Sequence, residues 1–404
     1  MTFSVGRWTM LVCLSRVFLF ANFMTVAAAI PVLQQEWGIS AASAGAVVSA
    51  FTVAYAVSLF VFAWASDHFG AKRMVQVSAV ASALSSLLFG LFARDWGSAL
   101  VLYALIGLSQ GGIYTPLIML FSERAASGRR GAAMGWLIAS TSVGYAFSLA
   151  LTGACLSLAD YQTAFLLAGI VPGIGSVILL ALLRESENTI HPRQAGHGIL
   201  EALWRARETR LLTAGYVFHS WELLGAWAWM PALLAAAFAL SGQDLGFASG
   251  QSALLIAGMH LLGAGASFSM GGLSDRLGRR TVLVGVAAIA TAISFSLGWL
   301  VTAPLVILAT LAMLQSVSSI ADSPVLTVAL TETTEPGVLG QVLAVRALLG
   351  FGAGAVAPIA AGGVLDFARG QDFSLPVSWG LTFSLLALGG LLATFAALRL
   401  RRVY

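Results

Sequence analysis

The chain has 404 residues, of which 59% are hydrophobic and only 9% charged, with 21 basic against 17 acidic side chains. Soluble globular domains carry about 25% charged residues, so this composition excludes one. The positive excess does not point to nucleic acid, because nearly all basic residues fall in short clusters between apolar runs. Cys13 and Cys155 both lie in apolar stretches, a spacing that indicates neither a disulfide framework nor a zinc site.

A membrane-spanning helix needs about 20 mainly apolar residues. By that measure the chain holds twelve spans, near 8–32, 44–65, 74–93, 97–121, 131–158, 161–183, 211–239, 247–273, 281–301, 303–330, 338–366 and 374–398. The first follows Arg7 and is too long for a signal-peptide core. No alternating strands of about ten residues appear, so an all-α integral membrane protein is expected rather than a barrel. Pro31, Pro116, Pro172, Pro231, Pro304, Pro324 and Pro358 fall within spans and are expected bends, since proline removes a backbone hydrogen bond.

The spans group into two six-helix bundles, residues 1–183 and 211–404, joined by a hydrophilic linker at 184–210. The segment from Glu201 to Arg210 reads as a basic surface helix against anionic lipid. His191 and His197 read as part of a solvated linker rather than a metal site. Basic residues concentrate on one side, at Arg7, Lys72, Arg73, Arg129, Arg130, the linker, Arg276, Arg279, Arg280 and the C-terminus. The other side holds only Arg94 and Arg369. That asymmetry places both termini and the linker in the cytoplasm.

One turn occurs twice. Gly271-Gly-Leu-Ser-Asp275-Arg276-Leu-Gly278-Arg279-Arg280 ends span eight, and about 208 residues earlier Ala63-Trp-Ala-Ser-Asp67-His68-Phe-Gly70-Ala-Lys72-Arg73 ends span two. Glu123 and Gly131 return as Glu332 and Gly340, offset by 209 residues. Such spacing indicates two halves built on one plan, as in secondary transporters. Gly271 permits close helix packing. Gly70 and Gly278 allow the chain to reverse through positive φ. Asp67 and Asp275 can pair with a neighbouring cation or face a helix N-terminus.

The pattern Gly-x-x-x-Asp-Arg-x-Gly-Arg-Arg resembles the signature loop of the major facilitator superfamily, complete in the C-terminal copy and weakened in the N-terminal one by Ala63 and His68. The resemblance implies twelve transmembrane helices in two pseudo-symmetric six-helix bundles, no cofactor, and a central cavity lined by spans one, four, seven and ten. It also implies that Asp67 meets the inner end of span eleven, and Asp275 that of span five, when the inner side closes. Span five carries Gly144-Tyr-Ala-Phe where the drug–proton antiporters of that superfamily carry a Gly-Pro signature.

Few ionisable residues lie inside the spans, where each costs at least about 2.5–3.5 kcal/mol. They are Arg16 in span one, His219 and Glu222 in seven, His260 in eight, Asp322 in ten and Arg346 in eleven. Asp322 and Arg346 are either an ion pair tying two spans or part of a substrate site. Arg16 has no anionic companion within the membrane in its own half, so its partner is Glu222, Asp322 or a substrate. Gln110 and Tyr114 stand one turn apart on span four, a spacing repeated by Gln315 and Ser319 on span ten. Gln110 reads as cavity lining. Trp221, Trp227 and Trp229 read as packing or interfacial anchors more than as a ligand sandwich.

These features lead to a secondary carrier of a small organic or inorganic anion, coupled to protons as a symporter and working by alternating access. Arg16, Gln110, Tyr114, Glu222, Asp322 and Arg346 are the candidate substrate residues, and Glu222 and Asp322 the candidate proton-coupling groups. The alternative is a proton-driven exporter of a drug-like or cationic compound; a non-transporting sensor or scaffold is more remote. No nucleophile with a base, metal cluster or phosphate-binding loop supports an enzyme. The expected partners are a small solute, protons and membrane lipids, with no nucleic acid, for a monomer in a bacterial-type inner membrane.

Overall fold

The computed structural model describes residues 5–124, 130–184, 186–190 and 206–401. The helices are α1 (Val5–Leu19), α2 (Thr25–Trp37), α3 (Ala41–Phe69), α4 (Ala71–Phe92), α5 (Trp96–Gln110), α6 (Thr115–Arg124), α7 (Arg130–Leu158) and α8 (Tyr161–Leu183) in the first half. The second half holds α9 (Arg207–Ala239), α10 (Leu245–Leu277), α11 (Arg279–Leu297), α12 (Leu305–Thr333), α13 (Pro336–Gly370) and α14 (Leu375–Leu398). No strand occurs among the described residues. His191 and His197, and the expected surface helix up to residue 205, lie outside them. Residues 207–210, assigned above to the linker, are the first turn of α9.

Among the described residues, eleven helical stretches are long and apolar enough to cross a membrane, α5 and α6 counting as one. The expected first span is the twelfth, broken into helices of 15 and 13 residues. Large apolar side chains such as Val177 (68% exposed) and Val306 (77%) cover the outside, which suits lipid and not water.

The repeated turn closes identically in both halves. Gly70 has φ 86° and ψ 144°, and Gly278 has φ 86° and ψ 141°, a backbone region essentially reserved for glycine. The rest of each turn is anchored alike. Lys72 Nζ donates to the Ser186 carbonyl at 2.6 Å, just past α8, and Arg280 Nη2 donates to the Leu398 carbonyl at 2.8 Å, at the end of α14. Four of the helices that start on the face away from the termini, α3, α5, α8 and α10, use side-chain caps instead. Ser40, Asp95, Asp160 and Asp244 accept from the backbone N–H groups of Ser43, Ser98, Thr163 and Phe247.

The two bundles meet along α3 with α13, α7 with α10, and α2 with α9 and α10. Their tightest contacts lie on the face away from the termini. Gly153 and Gly250 each bring their helix against the other's backbone, leaving no space for a Cβ. Asp366 of α13 accepts the first N–H groups of α3, from Ala41 and Ala42, both at 2.8 Å.

Candidate transport site

Span one breaks in mid-membrane, just after Arg16. Between α1 and α2 the chain makes i→i+3 bonds, from Ala21 N–H to the Phe18 carbonyl and from Phe23 N–H to that of Phe20. Backbone groups freed at membrane depth need other partners, and neighbouring spans supply them. Gln110 Nε2 donates to the Leu19 carbonyl at 3.0 Å, Tyr103 Oη donates to the Phe23 carbonyl at 2.7 Å, and Ser148 Oγ accepts from the Met24 N–H at 3.0 Å. Span four is also broken, by a 3-10 turn at Gly111–Ile113 whose Gly111 N–H reaches Ser58 Oγ at 2.9 Å. The break in span one lies ahead of Pro31, which sits inside α2. Gln110, expected to line the cavity, is fully buried and serves to hold this break.

Arg16 ends the last turn of α1 and is fully buried. Its Nη1 donates to the Leu137 carbonyl of α7, while Nε and Nη2 have no acceptor. The guanidinium carbon lies 5.2 Å from the ring centre of Tyr114 and 5.4 Å from that of Phe20, within cation–π range. No carboxylate pairs with it among the described residues. Aromatic rings lead from this point to the bundle interface. Tyr145 packs on Phe20 at 5.8 Å and Phe23 at 4.2 Å, then meets Trp227 at 5.5 Å and His260 at 6.1 Å in the other half. Tyr55 meets Phe351 at 5.6 Å across the same divide. The Trp227 indole N–H and His260 Nδ1 are buried without partners. Trp221 and Trp229 donate to the Leu385 and Pro358 carbonyls and serve packing.

The charged residues of the second half do not pair as the sequence suggests. Asp322 Oδ2 is held by His219 Nδ1 at 2.9 Å, and its Oδ1 has no partner. His219 Nε2 is 3.2 Å from Ser323 Oγ. Arg346 lies over the Tyr216 ring at 3.8 Å and donates to Thr327 Oγ1 at 3.2 Å, so of the two readings of Asp322 and Arg346 the direct ion pair does not form among the described residues. Glu222 also lies apart from Arg16. Its Oε1 accepts from Ser294 of α11 at 2.6 Å and its Oε2 abuts Gly390 of α14. The carboxyl therefore faces the interior of its own bundle, away from Arg16. Placing span seven beside the cavity did not say which side of that helix a residue occupies.

At the repeated turn, Asp275 pairs with Arg279 at 2.5 Å, and Arg279 reaches on to Glu332 at 2.9 Å. Asp67 is half-buried and forms no ion pair among the described residues. Arg276 is exposed, Gly271 lies within α10, and the side chain of Glu123 is outside the described residues. Arg73 lends its backbone N–H to Asn188 Oδ1 at 3.2 Å.

Two bundles of membrane-crossing helices that meet along an aromatic-lined interface define a polytopic all-α membrane fold. The model of the Major Facilitator Superfamily matches residues 12–242, more than half of the chain, and the chain belongs to that superfamily. A Cupriavidus necator protein named "Probable sulfoacetate transporter" is 25% identical over 67% of this chain and 64% of its own length. The Escherichia coli 3-(3-hydroxy-phenyl)propionate transporter is 29% identical over 52% of this chain and 51% of its own. The chain thus spans less than two thirds of the length of these relatives. A bacterial homolog of the human lysosomal transporter Spinster, solved in an inward-facing and unoccupied conformation, superposes with a TM-score of 0.78 at 15% identity, covering 97% of both chains.

Asn22, Tyr103 and Ser148 at the break and Tyr55 and Tyr145 at the interface are residues that the sequence alone did not single out, as is Asp366, which lies apart against the start of α3. Asn22, amid the apolar residues of span one, was a further signal for the break beside Pro31.

Proposed function

We propose that this protein is a secondary transporter of a small organic anion, coupled to protons and working by alternating access. The observation that carries this reading is Arg16: a fully buried guanidinium with two unanswered donor nitrogens and, among the described residues, no carboxylate partner. A cation at membrane depth needs an anionic or polar partner, and a planar guanidinium fits a carboxylate or sulfonate through paired donors. Sulfoacetate and 3-(3-hydroxy-phenyl)propionate, named for two relatives, are anions of this kind. The aromatic rings beside Arg16 suit the carbon body of such an acid.

Proton coupling belongs, in this reading, to the His219–Asp322 pair, whose imidazole and carboxylate lie 2.9 Å apart with Oδ1 left open. With both termini in the cytoplasm, the tight contacts at Gly153, Gly250 and Asp366 would close the outer side, which favours an inward-facing reading. Uptake of radiolabelled organic acids into sealed proteoliposomes, with and without a pH gradient, tests the proposal. Accumulation of an acid driven by the gradient supports it. Movement of cationic compounds alone favours the exporter instead.

A further inference from the structure

Each half is tied internally by the same three polar positions. In the first half, Asn22 Nδ2 donates to Ser86 Oγ at 2.5 Å and Asn22 Oδ1 accepts from Gln110 Nε2 at 3.0 Å. In the second, Ser294 Oγ donates to Glu222 Oε1 at 2.6 Å and accepts from Gln315 Nε2 at 3.3 Å. The three residues lie on spans one, three and four, and on seven, nine and ten. Glu222 stands 200 residues after Asn22, as Pro231 does after Pro31. Ser294 stands 208 residues after Ser86, as Gly278 does after Gly70. Serine and glutamine recur, and the one change of chemistry is an acid in place of an amide.

That acid has no counter-ion. Glu222 is 3% exposed and forms no ion pair among the described residues. His219, one turn earlier on α9, gives its Nδ1 to Asp322 of α12. From α11 the Ser294 hydroxyl binds the carboxyl, and Gly390 of α14 packs against both its Oε2 and the Thr291 hydroxyl. Thr291 Oγ1, beside Glu222 Oε2 against Gly390, is buried and lacks a hydrogen-bond partner. An ionised carboxylate in that setting is strongly disfavoured. A neutral one offers a donor and an acceptor, as the Asn22 amide does.

We propose that Glu222 is the counterpart of Asn22: a positioning residue that works as a neutral carboxyl, fixes α9 against α11 and α12, and keeps its proton throughout the transport cycle. The proton that moves is then carried elsewhere. The inference goes beyond the anion reading and holds whatever solute is carried, so its test uses no substrate.

Infrared spectroscopy of the full chain in lipid nanodiscs reads the carboxyl directly. The carbonyl band of a protonated acid should persist from about pH 5 to about pH 8, a range spanning the ordinary carboxylate and histidine titrations. Glu222→Gln should abolish this band and keep the melting temperature, because an amide fills the same role. Ser294→Ala should shift the band without abolishing it. Glu222→Ala should melt lower, by about 2–4 °C for the loss of roughly one hydrogen bond. A Glu222 band that appears only on acidification overturns the proposal. So does a Glu222→Gln protein that fails to fold, or a Ser294→Ala protein whose band is unmoved.

Discussion

The carboxylate of Asp366 accepts the backbone N–H of Ala41 at 2.8 Å, joining α13 of one bundle to the first turn of α3 in the other. The Ala42 N–H binds the second oxygen at the same distance. A negative charge at a helix N-terminus meets both the free donors and the positive end of the helix dipole. The link lies on the face away from the termini, where the bundles are closed, and any state open on that face must break it.

Asp366→Asn keeps the shape but leaves one oxygen to accept, and that one uncharged. Hydrogen bonds to charged groups contribute about 1.5–3 kcal/mol, so the balance between the two states should move about tenfold or more toward opening on that face. Distances between spin labels placed across α3 and α13 should lengthen there. Unchanged distances would remove Asp366 from the gate.

The paired turns give a stability prediction. Gly278→Ala forces a side chain into φ 86°, at about 1–3 kcal/mol. Gly70→Ala meets the same strain, and its Cβ would also fall on the Asn188 side chain, so it should lower the melting temperature more. Equal losses would deny the clamp between Asn188 and this turn.

Asp275→Asn should insert normally yet slow transport, if Asp275 leaves Arg279 for the start of α7 when the inner side closes. Contacts of that kind contribute about 0.3–1 kcal/mol, up to about 2 when partly buried. Matched-expression uptake assays decide this, and equal rates would rule out the latch.

Two caps titrate on the face away from the termini. Asp95 is held below the ordinary carboxylate range chiefly by the Ser98 backbone N–H, and Asp160 by that of Thr163. Because these pKa values are depressed on folding, the stabilisation is complete above the unfolded carboxylate pKa of about 3.9 and fades as pH falls through the folded values. Asp160→Ala should cost about 1 kcal/mol at neutral pH, with the gap to the parent protein closing in acid. A gap that widens in acid would contradict this.

The His219–Asp322 pair predicts a split between binding and energy coupling. Asp322→Asn and His219→Gln should retain solute counterflow but lose accumulation driven by a pH gradient. Retained accumulation in both would place coupling at another group.

Much of the architecture was legible in the sequence because it follows from apolar run length and from a turn chemistry that only glycine satisfies. Spans ended where polar residues clustered, and Gly70 and Gly278 marked matching reversals. The site was less legible. Arg16 could be singled out, since a buried cation in an apolar run is rare, but its ring of Tyr114, Phe20 and Tyr145 comes from three spans. The break at residues 20–24 is set by Gln110, Tyr103 and Ser148, none of them near in sequence. Glu222 was placed on the correct helix and the wrong side of it, because spacing along one helix does not fix its rotation against neighbours.

Arg16 remains the centre of the account, and ligand-induced melting shifts test it most directly, since a ligand bound to the folded state raises its melting temperature. Purified wild-type protein and Arg16→Lys should be screened against a panel of small carboxylates and sulfonates with their neutral amides. At least one acid should raise the melting temperature of the wild type, its amide should not, and Arg16→Lys should lose the response while melting normally without ligand. An equal shift in Arg16→Lys, or shifts from cationic compounds and none from acids, would contradict the assignment of Arg16 as the anion site.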